Sequence, residues 1–111
     1  MATEESFIKH VMVQADLGSR FTYRKMFGEY GFHLDGKFVA LACDNSFFIK
    51  HTAAISENGL ELPTQAPYPG AKEYPVADEL LDTPEILRRV LLATAAFLPE
   101  PKPKRSTKRK V

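Results

Sequence analysis

An Asp-Gly pair at 35–36, set between two alternating apolar runs, constrains this chain more than any other feature. A two-residue type I′ turn needs positive φ at both positions. Gly adopts it freely, Asp tolerates it, and the turn's twist matches that of paired strands. "EYGFHL" (29–34) and "KFVALAC" (37–43) therefore read as the arms of a hairpin. The turn predicts a register in which Leu34 faces Lys37, Phe32 faces Val39 and Tyr30 faces Leu41. Tyr30, Phe32, Leu34, Val39, Leu41 and Cys43 then share the core side of the sheet. His33 with Phe38, Gly31 with Ala40 and Glu29 with Ala42 share the other, a small mixed face for water or a partner. "FTYRKMF" (21–27) supplies a strand before the hairpin and "FFIK" (47–50) one after it. A three-residue loop at 44–46 keeps Phe47 and Ile49 on the core side. A two-residue loop puts Phe48 there instead, because a one-residue slip turns every side chain over.

Outside 21–50 the apolar period changes from 2 to 3.6. Phe7, Ile8, Val11, Met12 and Ala15 fall on one face of a helix over 4–16. Thr3 is placed to cap it, Glu4 and Glu5 suit its positive end, and Gly18 its stop. "DTPEILRRVLLATAAFLP" predicts a second long helix, with Thr83 as cap, Pro84 at its first position and Pro99 as its end. Its buried stripe is Leu87, Val90, Leu91, Thr94, Phe97 and Leu98. Between them, "HTAAISENG" reads as a short helix capped by Thr52 and stopped at Asn58-Gly59. Four prolines in residues 60–75 make a loop, and "KEYPV" gives one short strand that Pro75 confines to an edge or an end. Helix, antiparallel strands, helix, short strand, helix: the order predicts an α+β two-layer sandwich, with the N- and C-terminal helices on one face of the sheet.

The 111 residues suit one domain, here 1–99, followed by a tail at 100–111. The overall charge of +1 hides a division. Residues 1–101 carry nine bases and 14 acids, whereas 102–111, "KPKRSTKRKV", carries six bases and no acid. Lys102, Lys104, Arg105, Lys108, Arg109 and Lys110 alternate with residues that cannot bury a core, which predicts a disordered arm able to touch DNA or RNA non-specifically through charge. No apolar run approaches the roughly 20 residues of a membrane span, and "MATEESFIKH" lacks the apolar region of a secretion signal. A lone Cys43 cannot form an internal disulfide and reads as a small buried hydrophobe. These features predict a cytoplasmic protein.

The chemistry-bearing residues are sparse. Gly28 and Gly31 enclose Glu29-Tyr30 in a GxxG, but the flanks are strand-like and a carboxylate would repel phosphate. No Lys-Ser/Thr opens a helix after them. Both glycines read as structural, Gly28 marking a bend or bulge and Gly31 a close approach to the sheet, just as Asp35 and Gly36 are turn residues. His10, His33 and His51 show no metal spacing, and no nucleophile elbow, HExxH or Cys-His arrangement is present. We expect no catalytic residues, no metal and no cofactor. Arg24 and Lys25, with Tyr30 and Lys37, form the candidate contact for an anion or a partner. Lys50 or Lys72 could complete that patch, and Tyr23 could add stacking.

"RKMFGEYGFHLDGKFVALACDNSFFIK" (24–50) resembles the N-terminal domain of the TfoX/Sxy family. The resemblance lies in a basic pair, Met-Phe-Gly, a second Gly after two further residues, an aromatic, an Asp-Gly-Lys turn and a late aromatic-apolar-Lys. Downstream Pro-Gly-Ala-Lys, Tyr-Pro-Val and "DTPEIL" extend it over about residues 4–98. It implies a fold like that of secretion-chaperone-like domains and a tie to transcription and competence regulation in bacteria. Full-length members resemble regulators with a second, C-terminal helical domain; this sequence is similar to a stand-alone short member. The expected function is therefore a non-enzymatic regulatory or adaptor domain that contacts an unidentified protein. The alternatives are a small-ligand or enzymatic domain with a pocket between sheet and helices, and an oligomerisation module, such as a homodimer, using the Gly31/Ala40 face or an open sheet edge.

Overall fold

The computed structural model describes residues 3–26 and 29–99, with Met26 described by its backbone alone. Four antiparallel strands form one sheet in the order β1-β2-β3-β4: β1 Phe21–Met26, β2 Glu29–Leu34, β3 Lys37–Cys43 and β4 Ser46–Ile49. Helices α1 (Glu5–Ala15) and α3 (Pro84–Phe97) pack on each other, and α3 packs on β2 and β3. Helix α2 (Ala53–Glu57) leans on α3. The architecture is the α+β sandwich that the order of elements predicts.

The first hairpin forms as its turn dictates. Asp35 and Gly36 have φ of 54° and 84°, and Leu34 pairs with Lys37 and His33 with Phe38. One residue later the predicted register breaks. A bulge between Phe32 and His33 inserts Val39, so that Phe32 faces Ala40, Gly31 faces Leu41 and Tyr30 faces Ala42. Leu41 and Cys43 thus move to the outer side, and Ala40 and Ala42 join the core cluster. Packing accounts for the choice: small residues in those rows leave room for the rings of Phe32 and Phe47, which meet edge to face at 5.4 Å.

The next turn has two residues, Asp44 and Asn45, with φ of 54° and 60°, pairing Cys43 with Ser46. Alone, that would have sent Phe48 to the core. The bulge has already inverted the parity of β3, so Phe47 and Ile49 are the core residues and Phe48 lies opposite Leu41 on the outer side. Phe48 and Leu41 are nevertheless buried there.

The helices follow their stripes with local differences. Ile8, Val11 and Ala15 are fully buried on α1. Its cap position is Glu4, with no side-chain bond, and the buried Thr3 is used otherwise: its hydroxyl accepts from Asn45 N at 3.4 Å. The helix stops at Asp16, which takes the left-handed conformation at φ 50°, and Gly18 (φ 62°) opens a single 3-10 turn. From α3, Arg88 Nε donates to Ala15 O at 2.9 Å, satisfying an end carbonyl of α1. On α3, Leu87, Val90, Leu91, Thr94 and Ala95 are buried, whereas Phe97 is 48% exposed, one position past the stripe. Thr83 caps α3 through its carbonyl, which accepts from Ile86 and Leu87, and not through its side chain. Thr52 caps α2 as expected, accepting from Ala54 N at 3.2 Å.

The short strand expected over 72–76 forms at Tyr74–Pro75, with Pro75 at its end; its partner strand and a 3-10 helix escape the sequence pattern. Thr64–Gln65 (β5) pairs with Tyr74–Pro75 (β6) inside the proline-rich region, and Asp78–Asp82 makes a 3-10 helix that carries buried Leu80 and Leu81. Such short elements depend on tertiary contacts more than on periodicity.

Candidate interaction site

The two edges of the sheet differ, and the basic pair lies on β1, whose outer edge no described residue pairs with. Along β1 the side chains alternate. Phe21, Tyr23 and Lys25 share the rows of Leu34, Phe32 and Tyr30 on the helix side. Thr22 and Arg24 share those of His33 and Gly31 on the outer side. Phe21 is buried and stacks on Phe32 at 5.4 Å, whereas Thr22, Tyr23, Arg24 and Lys25 are exposed. Arg24 and Lys25 are therefore neighbours that point to opposite faces of one edge.

The other predicted members of the patch separate from this pair. Tyr30 is 8% exposed, a core residue whose ring tilts against Tyr23 at 5.8 Å; Tyr23 is the aromatic that water reaches. Lys37 sits on the helix side, where its Nζ donates to Ala95 O at 2.9 Å near the end of α3. A cation suits the negative end of a helix, so Lys37 joins sheet to helix. Asp35, beyond its turn role, accepts from Arg20 Nε and Nη2 at 3.0 and 2.7 Å. That bidentate bond holds its carboxyl below the usual range. Gly31 is buried in the outer row between Arg24 and Leu41. Gly28 and the tail residues 102–111 lie outside the described residues.

On the outer side the expected His33–Phe38 pair forms, and Lys50 extends it into a stripe that the sequence did not show. The His33 ring lies 5.4 Å from that of Phe38, and Lys50 Nζ lies 5.5 Å from the same ring. Burial and the charge of Arg24 both lower the pKa of His33. At the end of the stripe, Lys50, His51, Lys72, Glu73, Tyr74, Thr64 and Leu98 line an open cleft of about 470 Å³, with Lys72 Nζ 5.9 Å from the Tyr74 ring. Thr64 Oγ1 donates to Glu73 Oε1 at 2.9 Å in that cleft. The His33–Phe38 pair was legible from the Asp35-Gly36 turn, whereas the approach of Lys50 was not, because it depends on the register beyond the bulge in β3. A second cleft, of about 530 Å³, runs along α2 and includes Ile55, Leu60, Leu62 and Pro75. Both clefts lie around α2 and the β5–β6 ribbon; the space between sheet and helices is filled by the core cluster.

The remaining polar groups read as local. Burial, and then the charges of Glu29 and Asp44, push the Cys43 thiol up, which disfavours a reactive thiolate. Burial also raises the Glu29 carboxyl. Among the described residues, no group of three His, Cys, Asp or Glu side chains could hold a metal ion. No helix among them is long and apolar enough to cross a membrane.

Fold and surface together define a small α+β domain in which no described residue covers the outer edge of the basic strand β1. Residues 14–97 match the family described as the TfoX N-terminal domain, and the chain belongs to that family. A relative from Spirochaeta aurantia, described as an uncharacterized 12.7 kDa protein in the trpE 5′ region, is 40% identical over 106 residues. The match spans 96% of this chain and 92% of the relative.

Proposed function

We propose that this chain is a non-enzymatic regulatory or adaptor domain of the cytoplasm, acting through protein contacts in transcription or competence regulation. The observation that carries this reading is the exposed β1 edge with Arg24 and Lys25 on its two faces. A basic surface on an otherwise acidic body is suited to an acidic partner. Membership in a regulatory family supports the same reading. The experiment is affinity capture from the native cell with the full chain, under nuclease, comparing the natural protein with Arg24→Glu/Lys25→Glu. A protein recovered by the natural chain and lost with the variant is the expected result. Equal recovery by both would sink the assignment of the site.

The tail at 102–111 adds a non-specific nucleic-acid arm in the same proposal. Counterion release makes such binding steeply salt-dependent. Deleting 102–111 should abolish retention of duplex DNA at roughly 50 mM salt, where charge contacts are strong. Undiminished retention by the shortened chain would refute a role for the tail.

A further inference from the structure

We propose that β1 accepts an extended, acidic segment of a partner protein as an added antiparallel strand, a proposal that rests on the adaptor reading above. Backbone geometry comes first. Asp35 N donates to Arg20 O at 2.9 Å, which encloses the pair Phe21↔Leu34 and makes it a wide, non-bonded pair. Alternation along an antiparallel ladder then assigns the bonds to β2 to Thr22, Arg24 and Met26. The N–H and C=O groups of Tyr23 and Lys25 point the other way, out of the sheet. The N–H of Phe21 is already given to Gly18 O. Among the described residues nothing pairs with the outward groups of Tyr23 and Lys25. They are two residues apart, which is the repeat an incoming strand presents.

Charge then selects the occupant. A second copy could satisfy these groups on both sides in one antiparallel register, with Tyr23 opposite Lys25 of the other copy. That register sets the two Arg24 side chains directly opposite each other, and like charges so placed repel. A foreign strand in the same register meets Lys25, Arg24 and Tyr23 in turn. Carboxylates suit the first two positions and a β-branched residue the third, against the exposed Tyr23 ring. The recognised segment is thus two consecutive acidic residues followed by a β-branched one, in extended conformation.

The test uses the full chain, labelled with nitrogen-15, and the capped peptide Ser-Thr-Glu-Glu-Val-Thr-Ser at up to millimolar concentration. The Tyr23 and Lys25 amides should shift and gain protection from exchange. N-methylation of the first Glu and of Val, whose N–H groups face β1, should abolish binding. N-methylation of the second Glu, whose N–H faces away, should spare it. Replacing both Glu by Lys should weaken binding by roughly tenfold, the scale of two exposed charge pairs reversed. Shifts elsewhere, no binding at millimolar peptide, or indifference to charge or to the N-methylated position would overturn the proposal. So would a dimer of the free chain whose contacts map to β1. If Arg24→Glu/Lys25→Glu still removes a captured protein while the peptides fail, strand addition falls and the adaptor reading stands. If neither is observed, both fall.

Discussion

β4 and β1 are the two edges of one sheet, and the chain treats them differently. At β4, Val76 bridges Phe48, Ala77 N donates to Phe47 O at 2.8 Å, and Asp78 Oδ1 accepts from Phe47 N at 2.6 Å. The chain closes this edge with its own backbone and the Asp78 carboxylate. At β1, no described residue covers the outward groups of Tyr23 and Lys25, and two cations flank them. Natural sheets commonly guard an open edge with charge, because a bare one pairs with any exposed strand. Arg24 and Lys25 give that protection against a second copy. They do not give it against an acidic strand. If β1 takes up the proposed acidic strand, guard and recognition device are the same two residues; the sequence marked them as a partner contact, and the open edge they flank adds the way in which they would bind.

The largest effect is expected on the closed side. Phe47 is fully buried, packs edge to face on Phe32 and carries both bonds to 77–78. Phe47→Ala should cost about 3–5 kcal/mol, a loss large enough to threaten a domain of this size. Chemical denaturation measures it. A loss below about 1 kcal/mol, well short of that range, would mean that β4 is not the anchored edge described here.

Asp78 isolates the closure itself. Asp78→Ala leaves the Phe47 amide without its acceptor, at a cost of about 1–3 kcal/mol. Asp78→Asn keeps an oxygen in place and should restore most of that stability. Equal losses for the two variants would show that negative charge, rather than an acceptor at 2.6 Å, closes the edge.

The closed edge also shows how far the sequence reaches. The α+β order, the Asp35-Gly36 turn, both long helices and the Thr52 cap were legible because each rests on local spacing or turn chemistry. The Val39 bulge was not. It depends on how Ala40 and Ala42 fit against rings brought from β2 and β4, which no local pattern records. Its omission and the two open loop lengths at 44–46 offset each other: the two-residue turn would have turned Phe47 to the outer side, and the bulge returned it to the core. Tyr30 and Lys37 were grouped with Arg24 and Lys25 for being close in sequence. Strand alternation and the end of α3 then drew them inward. The short strand over 72–76 was legible, but the closure of β4 by 76–78 was not, because the Val76–Phe48 bridge and the Asp78 bond are long-range contacts that no local pattern records.

On the open side, Arg24→Glu/Lys25→Glu should change stability by less than about 0.5 kcal/mol, as usual for exposed substitutions. Its effect should fall on partner capture instead. A markedly destabilised variant would identify the pair as structural and weaken the contrast between the edges.

The smallest effect concerns His33, which shares the outer face with Arg24. Burial and the Arg24 charge hold its folded pKa below the ordinary imidazole value of about 6.5. The unfolded chain therefore takes up the proton first as pH falls, and stability declines as pH passes down through that value. Between pH 7.5 and 6.0, chosen to lie above the window where Glu29, raised by burial from 4.5, acts with the opposite sign, the natural chain should lose more stability than His33→Gln. Arg24→Gln should lessen the slope without removing it, since burial remains. Equal slopes for the natural chain and Arg24→Gln, with a shallower one for His33→Gln, would mean that Arg24 projects into solvent away from His33 and that burial alone lowers its pKa. In that case the cation nearest the open edge would not reach the His33–Phe38–Lys50 stripe, and β1 alone would present it to a partner.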